Sequence, residues 1–355
     1  MPALFADIKT PHINEATLKR IMTSRVKENI FQNIFTRPGE AVTDRFTNDT
    51  DAAEIQVIRV KPHNDEAREI GSDKNGGWFN SADARTSTTE AYSIRILKTI
   101  DNLIDIPTNQ QDMMNVDLVE AELSNLAGAV NKNVNALTFA VQLAKNFNDV
   151  VNSTVDNNWV VLDATAPNYL EAIIDAGAKL DDGNPNEGID AYPDNFRAIF
   201  IRSGAKSQLM KKGQIIIGGS NDAQTILKKG GLDADTTPDV HVTGYLGEVD
   251  NMPVYMAAKA VWTLAEKYLG LDAGALDGVE MLVVSGVGTG RALAFNSAIQ
   301  IGDCPNGQGR RIKPKYRMGA ECWDALSVVP VVKSTFTNPA TAEKNLTVVG
   351  PASRA

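Results

Sequence analysis

The sequence has few cysteines, which disulfide bonds require, and no long apolar run, which membrane insertion requires. Its 355 residues include only two cysteines, Cys304 and Cys322, and no CxxC spacing. We therefore expect a reducing compartment and no disulfide framework, with one bond between these two residues as an open alternative. No run of roughly 18 apolar residues occurs, and the first 30 residues have no apolar core. The sequence thus predicts neither a signal peptide nor a membrane span.

Signatures of catalysis and of metal binding are also missing. The three histidines, His12, His63 and His241, are far apart in the sequence. There is no GxSxG elbow, no HExxH motif, no EF-hand loop and no Cys/His ladder. We interpret the histidines as surface residues or as core residues with satisfied hydrogen bonds. The expectation is a protein that is not an enzyme and that needs no cofactor and no metal.

One glycine-rich turn is the main exception. Residues 283–285 are strand-like and lead into Gly286, Gly288 and Gly290. A dinucleotide-binding turn needs a third fingerprint glycine and then a helix N-terminus that points at the pyrophosphate. Arg291 stands at the position of that glycine, and the residues after it suit a strand as well as a helix. A nucleotide-binding enzyme that uses residues 286–290 therefore remains only as an alternative.

Composition indicates a folded chain with one large domain or two smaller ones. Apolar residues make up 43% and charged residues 22%, which suits a protein with a buried core. The formal net charge of −9 argues against a dedicated nucleic-acid-binding protein, because such proteins usually show a basic face.

A single short segment is strongly basic. It spans residues 309–317 and contains Arg310, Arg311, Lys313, Lys315 and Arg317. Lysine and arginine neutralise phosphate charge, so this segment could contact nucleic acid. We prefer to interpret it as a strand at a subunit interface or as a solvated basic segment.

Hydrophobic spacing predicts an N-terminal helix and then a two-stranded arm. Residues 18–30 have helical spacing, which we interpret as an amphipathic surface helix rather than a DNA-binding arm. Residues 54–61 and 92–100 alternate as strands do, and the polar, glycine-containing segment 62–90 connects them. An isolated two-stranded hairpin is marginally stable in water, so we expect this arm to lie on a neighbouring subunit.

A very long helix is predicted for residues 112–148, where apolar residues step by threes and fours without an intervening proline. Its length is about 50 Å, at about 1.5 Å per residue. Asparagine dominates the polar side and the charges of a coiled coil are missing, which favours a helix packed across a sheet.

The remaining sequence predicts mixed helices and strands. Helices are expected at 168–180 and 205–212, a buried strand at 197–201, and two strands around a turn at 244–256. The C-terminal part is strand-rich at 279–285, 291–301, 313–317 and 325–333, and the last fifteen residues are expected to fray.

This order of parts resembles the Hong Kong-type fold of tailed-bacteriophage major capsid proteins. The run Gly244-Tyr245-Leu246-Gly247, followed by Met252-Pro253-Val254-Tyr255, is similar to a recurrent run in that family. The resemblance implies an α+β fold with an extended β-hairpin loop, a spine helix in a peripheral domain, and a central α/β axial domain. The implied segments are an N-terminal arm at 1–50, the extended loop at 51–100, the peripheral domain with the spine helix at 101–151, the axial domain at 152–276, peripheral strands at 277–340 and a C-terminal tail at 341–355.

The resemblance also implies a function. The chain would be a structural protein that assembles into the hexamers and pentamers of an icosahedral phage head around double-stranded DNA. Its other partners would be scaffolding, portal and decoration proteins, without a membrane, and it would reside in the virion after assembly in the host cytoplasm. A cellular encapsulating shell protein of the same fold is the alternative within this family.

Two groups of residues are assigned to the subunit interface on this basis. One lies in the extended loop and consists of Lys74, Trp78 and Phe79. The other is the basic segment with Arg310, Arg311, Lys313, Lys315 and Arg317. No catalytic, cofactor-binding or metal-binding residue is assigned.

Overall fold

The structure is a computed structural model, and it describes fourteen stretches of the chain. They are residues 45–46, 54–60, 89–101, 104–107, 118–152, 158–163, 165–185, 189–211, 245–250, 252–295, 300–303, 309–313, 315–341 and 344–348. The predicted N-terminal helix, the connection at 62–88 and the glycine-flanked isoleucines at 215–217 lie outside these residues. No helix within the described stretches is long and apolar enough to cross a membrane.

The described residues form strands and helices in the mixed order that the sequence predicts. The strands are β1 (Arg45–Phe46), β2 (Glu54–Val60), β3 (Thr89–Asp101), β4 (Ile104–Pro107), β5 (Val160–Leu162), β6 (Arg197–Ile201), β7 (Tyr245–Val249), β8 (Met252–Met256), β9 (Val279–Ser285), β10 (Thr289–Phe295), β11 (Gln300–Asp303), β12 (Gly309–Lys313), β13 (Lys315–Cys322) and β14 (Val328–Lys333). The helices are α1 (Leu118–Val151), α2 (Tyr169–Asp181), α3 (Ser203–Lys211) and α4 (Lys259–Leu269).

A six-stranded mixed sheet in the order β5-β14-β9-β6-β8-β7 separates two apolar cores. Side chains alternate between the faces of a strand, so β6 sends Ala198 and Phe200 to one core and Ile199 and Ile201 to the other. Helices α1 and α4 cover the first face, and α2 and α3 cover the second. The sheet is therefore buried on both sides, which explains the apolar runs 198–201 in β6 and 281–284 in β9.

Two further sheets lie beside this one. A five-stranded sheet has the order β1-β10-β13-β3-β2, and a three-stranded sheet has the order β11-β12-β4. Strand β13 packs on α1 through Tyr316, Met318 and Ala320, which belong to the same core as the inner face of the six-stranded sheet. The long helix therefore lies between sheets that different parts of the chain build.

The C-terminal strands are distributed differently from the predicted segment at 277–340. Strands β9 and β14 are interior strands of the six-stranded sheet, together with strands from the predicted axial segment, and only β10 to β13 lie elsewhere. The six-stranded sheet therefore combines strands from the predicted segments 152–276 and 277–340. Both strands are apolar on either face, so their sequences carry no information about which strands they pair with. The domain boundaries themselves remain a prediction.

Helix α1 confirms the prediction of a long spine helix. It is buried on more than the one apolar stripe that the sequence predicts. It spans 34 residues, and every residue from 134 to 144 is buried. The buried set includes the polar residues Asn135, Thr138 and Gln142. The sheets and α4 enclose the helix, and Gln142 Nε2 donates to Thr289 Oγ1 at 3.2 Å instead of to water.

Asparagine side chains of α1 form the hydrogen bonds that hold it in this position. Asn146 Nδ2 donates to the carbonyl oxygens of Ala325 and Val328 at 3.2 and 2.9 Å. Its Oδ1 accepts from Trp159 Nε1 at 2.7 Å. One buried amide thus bonds the helix to the segment that leads into β14 and to the segment before β5.

A second asparagine connects α1 to α4 and β13. Tyr268 Oη donates to Asn133 Oδ1 at 2.6 Å, and Asn133 Nδ2 lies 3.4 Å from Tyr316 Oη. Burial raises the pKa of Tyr268 to about 12 and also raises the pKa of Tyr316 above its ordinary value. Both phenols are therefore neutral hydrogen-bonding groups in the folded protein.

Residues 344–348 of the C-terminal tail are docked on the body, so the expectation of fraying does not hold for them. Asn148 Nδ2 donates to the Leu346 carbonyl at 2.8 Å, and the Leu346 N–H donates to Asn148 Oδ1 at 2.7 Å. Phe336 packs its ring against Phe147 and Trp159. Composition alone missed these contacts because they depend on side chains almost two hundred residues earlier.

Helix α4 was missed from the sequence, although the signals were present. Val261, Trp262, Ala265 and Leu269 lie one or two turns apart and are buried. Gly270 ends the helix in the left-handed region at a φ of 65°, which is a common position for glycine.

We predict that Asn146→Ala lowers the free energy of unfolding by about 3 kcal/mol. The substitution leaves the Trp159 indole N–H without this acceptor in a buried site, at about 1–3 kcal/mol. It also removes one donor each from the Ala325 and Val328 carbonyl oxygens, which keep a donor from the Val328 N–H and from Asn158, respectively. Chemical denaturation of the unassembled protein measures this. The control is Asn125→Ala, an exposed position on the same helix, for which a change of about 0.5 kcal/mol or less is expected. Equal effects of the two substitutions would contradict the role of Asn146.

We also predict that the protein loses stability in alkali. A phenol whose pKa is raised in the folded state contributes stability that is complete below pH 10 or so and declines as the pH rises toward the folded value of about 12 for Tyr268. The double variant Tyr268→Phe/Tyr316→Phe cannot ionise at these positions, so its melting temperature should fall less steeply over this range. An unchanged slope in that variant would show that other groups cause the alkaline loss.

Candidate assembly interface

The arm that the sequence predicts is an antiparallel pair of β2 and β3. Glu54 lies opposite Arg95, and Arg59 lies opposite Glu90. Opposite positions in an antiparallel pair share a face, so each acidic position is next to a basic one. The alternating sequence therefore encodes cross-strand charge pairing, and not only one apolar and one polar face.

The base of the arm is fixed to the five-stranded sheet. Ile94 is only 1% exposed. A side chain added at Gly290 would lie 2.9 Å from Ile94 and 2.9 Å from Trp323, so these residues are in close contact. The glycine at position 290 therefore leaves space for the isoleucine that anchors the arm.

Strand β3 belongs to both the body and the arm. Its residues from Ile96 to Asp101 pair with β13, and those from Thr89 to Arg95 pair with β2. The register with β13 shifts between Met318 and Gly319, opposite Leu97, and Leu97 packs against the core around α1. A bulge of this kind bends and twists a strand. It lies where β3 changes its partner.

The loop residues Lys74, Trp78 and Phe79, which the sequence assigned to the subunit interface, lie outside the described residues. Their role remains a prediction. The structure describes only the two strands that lead toward this loop and return from it.

The basic segment is divided between two sheets. Arg310, Arg311 and Lys313 belong to β12 of the three-stranded sheet, and Lys315 and Arg317 belong to β13 of the five-stranded sheet. The chain continues from one sheet to the other, so the five basic residues do not form one flat patch. This division was not visible in the sequence.

Acidic positions lie opposite several of these basic residues. Arg310 is paired in register with Asp303, and Arg311 with Asp105. Lys315 is paired with Asp101. Neighbouring charges of opposite sign reduce the positive potential of the segment, which disfavours phosphate binding there. Sequence reasoning missed these acidic residues because two of them precede the segment by about two hundred positions.

Strand register divides the positions of the three-stranded sheet between two faces. The positions of Ile104, Ile106, Ile301 and Ile312 share one face with Arg310, as their register shows. Arg311 and Lys313 share the other face with Asp105 and Gln300.

The glycine-rich turn is not a dinucleotide site. Residues Gly286–Gly288 form a short 3-10 turn between strands β9 and β10, where the fingerprint requires a helix. Residues 286–290 are all buried. A side chain at Gly288 would lie 2.0 Å from Ser327 Oγ. The glycine is therefore needed for packing against the chain itself, and not for the approach of a phosphate.

The close contact at Gly288 joins the two connections between the six-stranded and five-stranded sheets. One connection runs from β9 to β10, and the other runs from β13 to β14. The Trp323 N–H donates to the Gly288 carbonyl at 3.0 Å. We call residues 285–290 with 322–328 the sheet joint.

A buried carboxylate organises the sheet joint. Asp324 is 2% exposed and its side chain accepts from Asn184 Nδ2 at 2.9 Å, from the Leu326 N–H at 3.0 Å, and from Tyr192 Oη. These three donors satisfy the hydrogen-bonding capacity of the buried carboxyl group. The loop after α2 is thereby bound to the sheet joint.

The chemistry of this region is structural. Cys322 is buried, and burial raises the pKa of its thiol to about 12. The thiol is therefore neutral at physiological pH, unlike a catalytic cysteine. Among the described residues, no group of three or more histidine, cysteine, aspartate or glutamate side chains could hold a metal ion.

Comparison with known proteins gives no match by sequence and a match by fold. No protein family profile matches the chain, and no curated protein is detectably similar to it. A chain from the capsid of Ralstonia phage GP4 has a TM-score of 0.52 and 12% identity, over 88% of this chain and 93% of that chain. A chain from the capsid of the cyanophage P-SCSP1u has a TM-score of 0.47 and 12% identity, over 84% and 92%.

The likeness to the Ralstonia phage chain shows the fold. Its coverage extends over most of both chains. The prediction of a Hong Kong-type phage capsid fold of the α+β class is confirmed.

We predict that Gly288→Ala destabilises the protein by several kcal/mol, because the new methyl group would overlap the Ser327 hydroxyl. Thermal melting of Gly288→Ala, Ser327→Gly and the double variant measures the effect. The double variant should recover much of the stability. Gly128→Ala is the control, since nothing lies within 4 Å of that position and alanine favours a helix by about 1 kcal/mol. A double variant as unstable as the sum of its parts would contradict the overlap.

Proposed function

We propose that the chain is a structural major capsid protein that assembles into the hexamers and pentamers of an icosahedral phage head enclosing double-stranded DNA. The observation that carries this proposal is the fold shared with a phage capsid chain over nearly the whole length of both proteins. Assembly is the function we assign, and catalysis is not part of it.

The arm supports a role in contacts between copies. Beyond Ile96, strand β3 pairs with β2 in place of β13. A two-stranded ribbon gains little stability alone in water, so a surface that supports it is favourable. We propose that a neighbouring copy provides this surface, with Lys74, Trp78 and Phe79 among the contacts.

The basic segment has a proposed role at the same interface. Arg310, Arg311 and Lys315 lie opposite acidic positions, which supports a strand that contacts other subunits over one that binds DNA. Lys313 and Arg317 belong to the same proposed surface. Charged residues at the rim of an interface direct the orientation of the partners more than they add affinity.

Weak contacts are enough for this mechanism. A closed symmetric shell repeats the same contact many times, so modest individual affinities add to a stable particle. Scaffolding, portal and decoration proteins are the further partners we propose, with assembly in the host cytoplasm and residence in the virion.

A cellular encapsulating shell remains the second candidate, since the same fold would serve it. Particles from the native source distinguish the two, because a phage head contains DNA and an encapsulating shell contains cargo protein. The nucleotide-binding alternative has no remaining support, since the glycines at 286–290 are buried between strands.

We predict that replacing residues 64–84 by a short Gly-Ser linker leaves a folded protein that assembles poorly. The body does not depend on this segment for the contacts described above, whereas the proposed contact with a neighbour does. Negative-stain microscopy under assembly conditions measures shell formation, and thermal melting measures folding. The matched variant Trp78→Ala/Phe79→Ala keeps the loop length and should reduce assembly in the same direction. Normal shells from the linker variant would refute the role of the arm.

A further inference from the structure

Helix α2 carries an apolar row at the surface of the described structure. Leu170, Ile174 and Ala178 follow one another at intervals of four residues, so their side chains lie along one face of the helix. Leu170 is half-buried, Ala178 is exposed, and Ile174 is 48% exposed. The residues that bind α2 to the core, such as Ile173 and Leu180, lie on another side of the helix.

Negative charge lies beside this row. Glu171 and Asp175 are exposed, and they are also four residues apart. Basic residues of the same helical layer are less accessible, because Lys179 and Lys206 are half-buried and Arg197 is buried. An apolar row with acidic residues beside it is complementary to a segment that has an apolar row and basic residues.

The N-terminal segment that the sequence predicts as an amphipathic helix has this complementary pattern. Its apolar residues Leu18, Met22, Val26 and Ile30 also recur at intervals of four. Its charged residues are four basic ones and one acidic one, namely Lys19, Arg20, Arg25, Lys27 and Glu28. Rows at intervals of four residues pack into each other's grooves in the commonest arrangement of two helices.

The chain enters the described body close to the end of α2. Strand β1 pairs in parallel with β10, with Arg45 opposite Ala292. Because β10 starts at the sheet joint and the two strands run in the same direction, the chain reaches β1 from the side of the sheet joint. The loop after α2 is bound to the same joint through Asn184 and Tyr192, which donate to Asp324. The entrance to β1 and the C-terminal end of α2 therefore both adjoin the sheet joint.

The connecting chain is long enough for the two segments to meet. Fourteen residues separate Ile30 from Arg45. They span at most about 46 Å, at about 3.3 Å for each residue. Helix α2 is about 20 Å long, at about 1.5 Å for each residue. Residues 18–30 can therefore lie along the whole of α2 in the same chain.

We propose that residues 18–30 pack against α2 of the same chain. Their apolar row covers Leu170, Ile174 and Ala178, and their basic side chains lie next to the acidic residues of the helix. Contact between the two rows removes apolar surface of both segments from water. The inference concerns the free chain, and it goes beyond the assembly function proposed above.

Helix α2 of a second copy is the competing site for this segment. The short connection favours the same chain, because a tethered segment has an effective concentration of about a millimolar at a site within its reach. A neighbouring copy offers a comparable concentration only after the two chains have associated. In the free protein the contact within one chain is therefore preferred.

Hydrogen exchange of the full-length, unassembled protein tests this contact. A helix of about thirteen residues is marginally stable alone in water, so slow exchange of the amides at 18–30 requires a contact. A synthetic peptide of residues 14–32 gives the exchange rate without that contact. We expect exchange about tenfold slower in the protein than in the peptide. The variants Ile174→Ser and Asp175→Lys should each bring the exchange close to the rate of the peptide.

Matched controls make the same kind of change elsewhere. Val161→Ser alters an apolar residue that is 57% exposed on β5, and Asp272→Lys alters an exposed acidic residue in the loop after α4. Both should leave the exchange at 18–30 unchanged. Combining Asp175→Lys with Arg20→Glu/Lys27→Glu should restore slow exchange, which a general loss of stability would not allow.

A zero-length cross-link distinguishes the same chain from a second copy. A carbodiimide joins an amine to a carboxylate that it contacts, so Lys19 and Lys27 should link to Glu171 or Asp175. In a mixture of isotope-labelled and unlabelled protein, a link within one chain contains a single isotope. We expect links of this kind and none that combine the two isotopes.

Three results would overturn the inference. They are exchange at 18–30 that is as fast as in the peptide, an equal acceleration by Ile174→Ser and Val161→Ser, and cross-links between labelled and unlabelled chains. The last result would identify a second copy as the partner of α2. None of the three bears on shell formation, which the linker variant of residues 64–84 tests separately.

Discussion

Burial of a polar helix on all sides is the constraint on which this fold depends. Helix α1 has sheets, α4 and the C-terminal tail around its central and C-terminal turns, and its asparagines bond to these neighbours. Apolar contacts alone would permit the helix to rotate or slide, because they are not directional. Buried amides permit one arrangement, since any other leaves carbonyl and N–H groups without partners. The cores on both sides of the six-stranded sheet are built outward from that fixed position.

Local sequence signals predicted where helices and strands form. They did not predict which of these elements pack against or pair with one another. The alternation in β2 and β3 and the periodicity of α1 depend on residues a few positions apart, so they can be read directly. The pairing of β9 and β14 with β6 and β5 depends on strands far away in the chain. The same limit explains why the predicted polar side of α1 includes buried asparagines, since elements from other parts of the chain cover Asn135 and Asn146.

The charges of the candidate interface also could not be predicted fully from local sequence. The basic segment was evident because five residues lie together in the sequence, but Asp101, Asp105 and Asp303 meet it only through strand register. The glycine turn was misleading for a related reason. Glycine serves the approach of a phosphate and the approach of Ser327 equally well, and only the packing distinguishes them.

Strand β3 is shared by the body and the arm, and this continuity has a mechanical consequence. Its thirteen residues run without interruption from the pairing with β2 into the pairing with β13. Tension applied at the tip of the arm would therefore load the hydrogen bonds to β13 in shear, along the strand, where they resist together. From β13 the load passes through Tyr316 to Asn133 and the long helix. A force on the arm is thus transmitted to the long helix of the same chain.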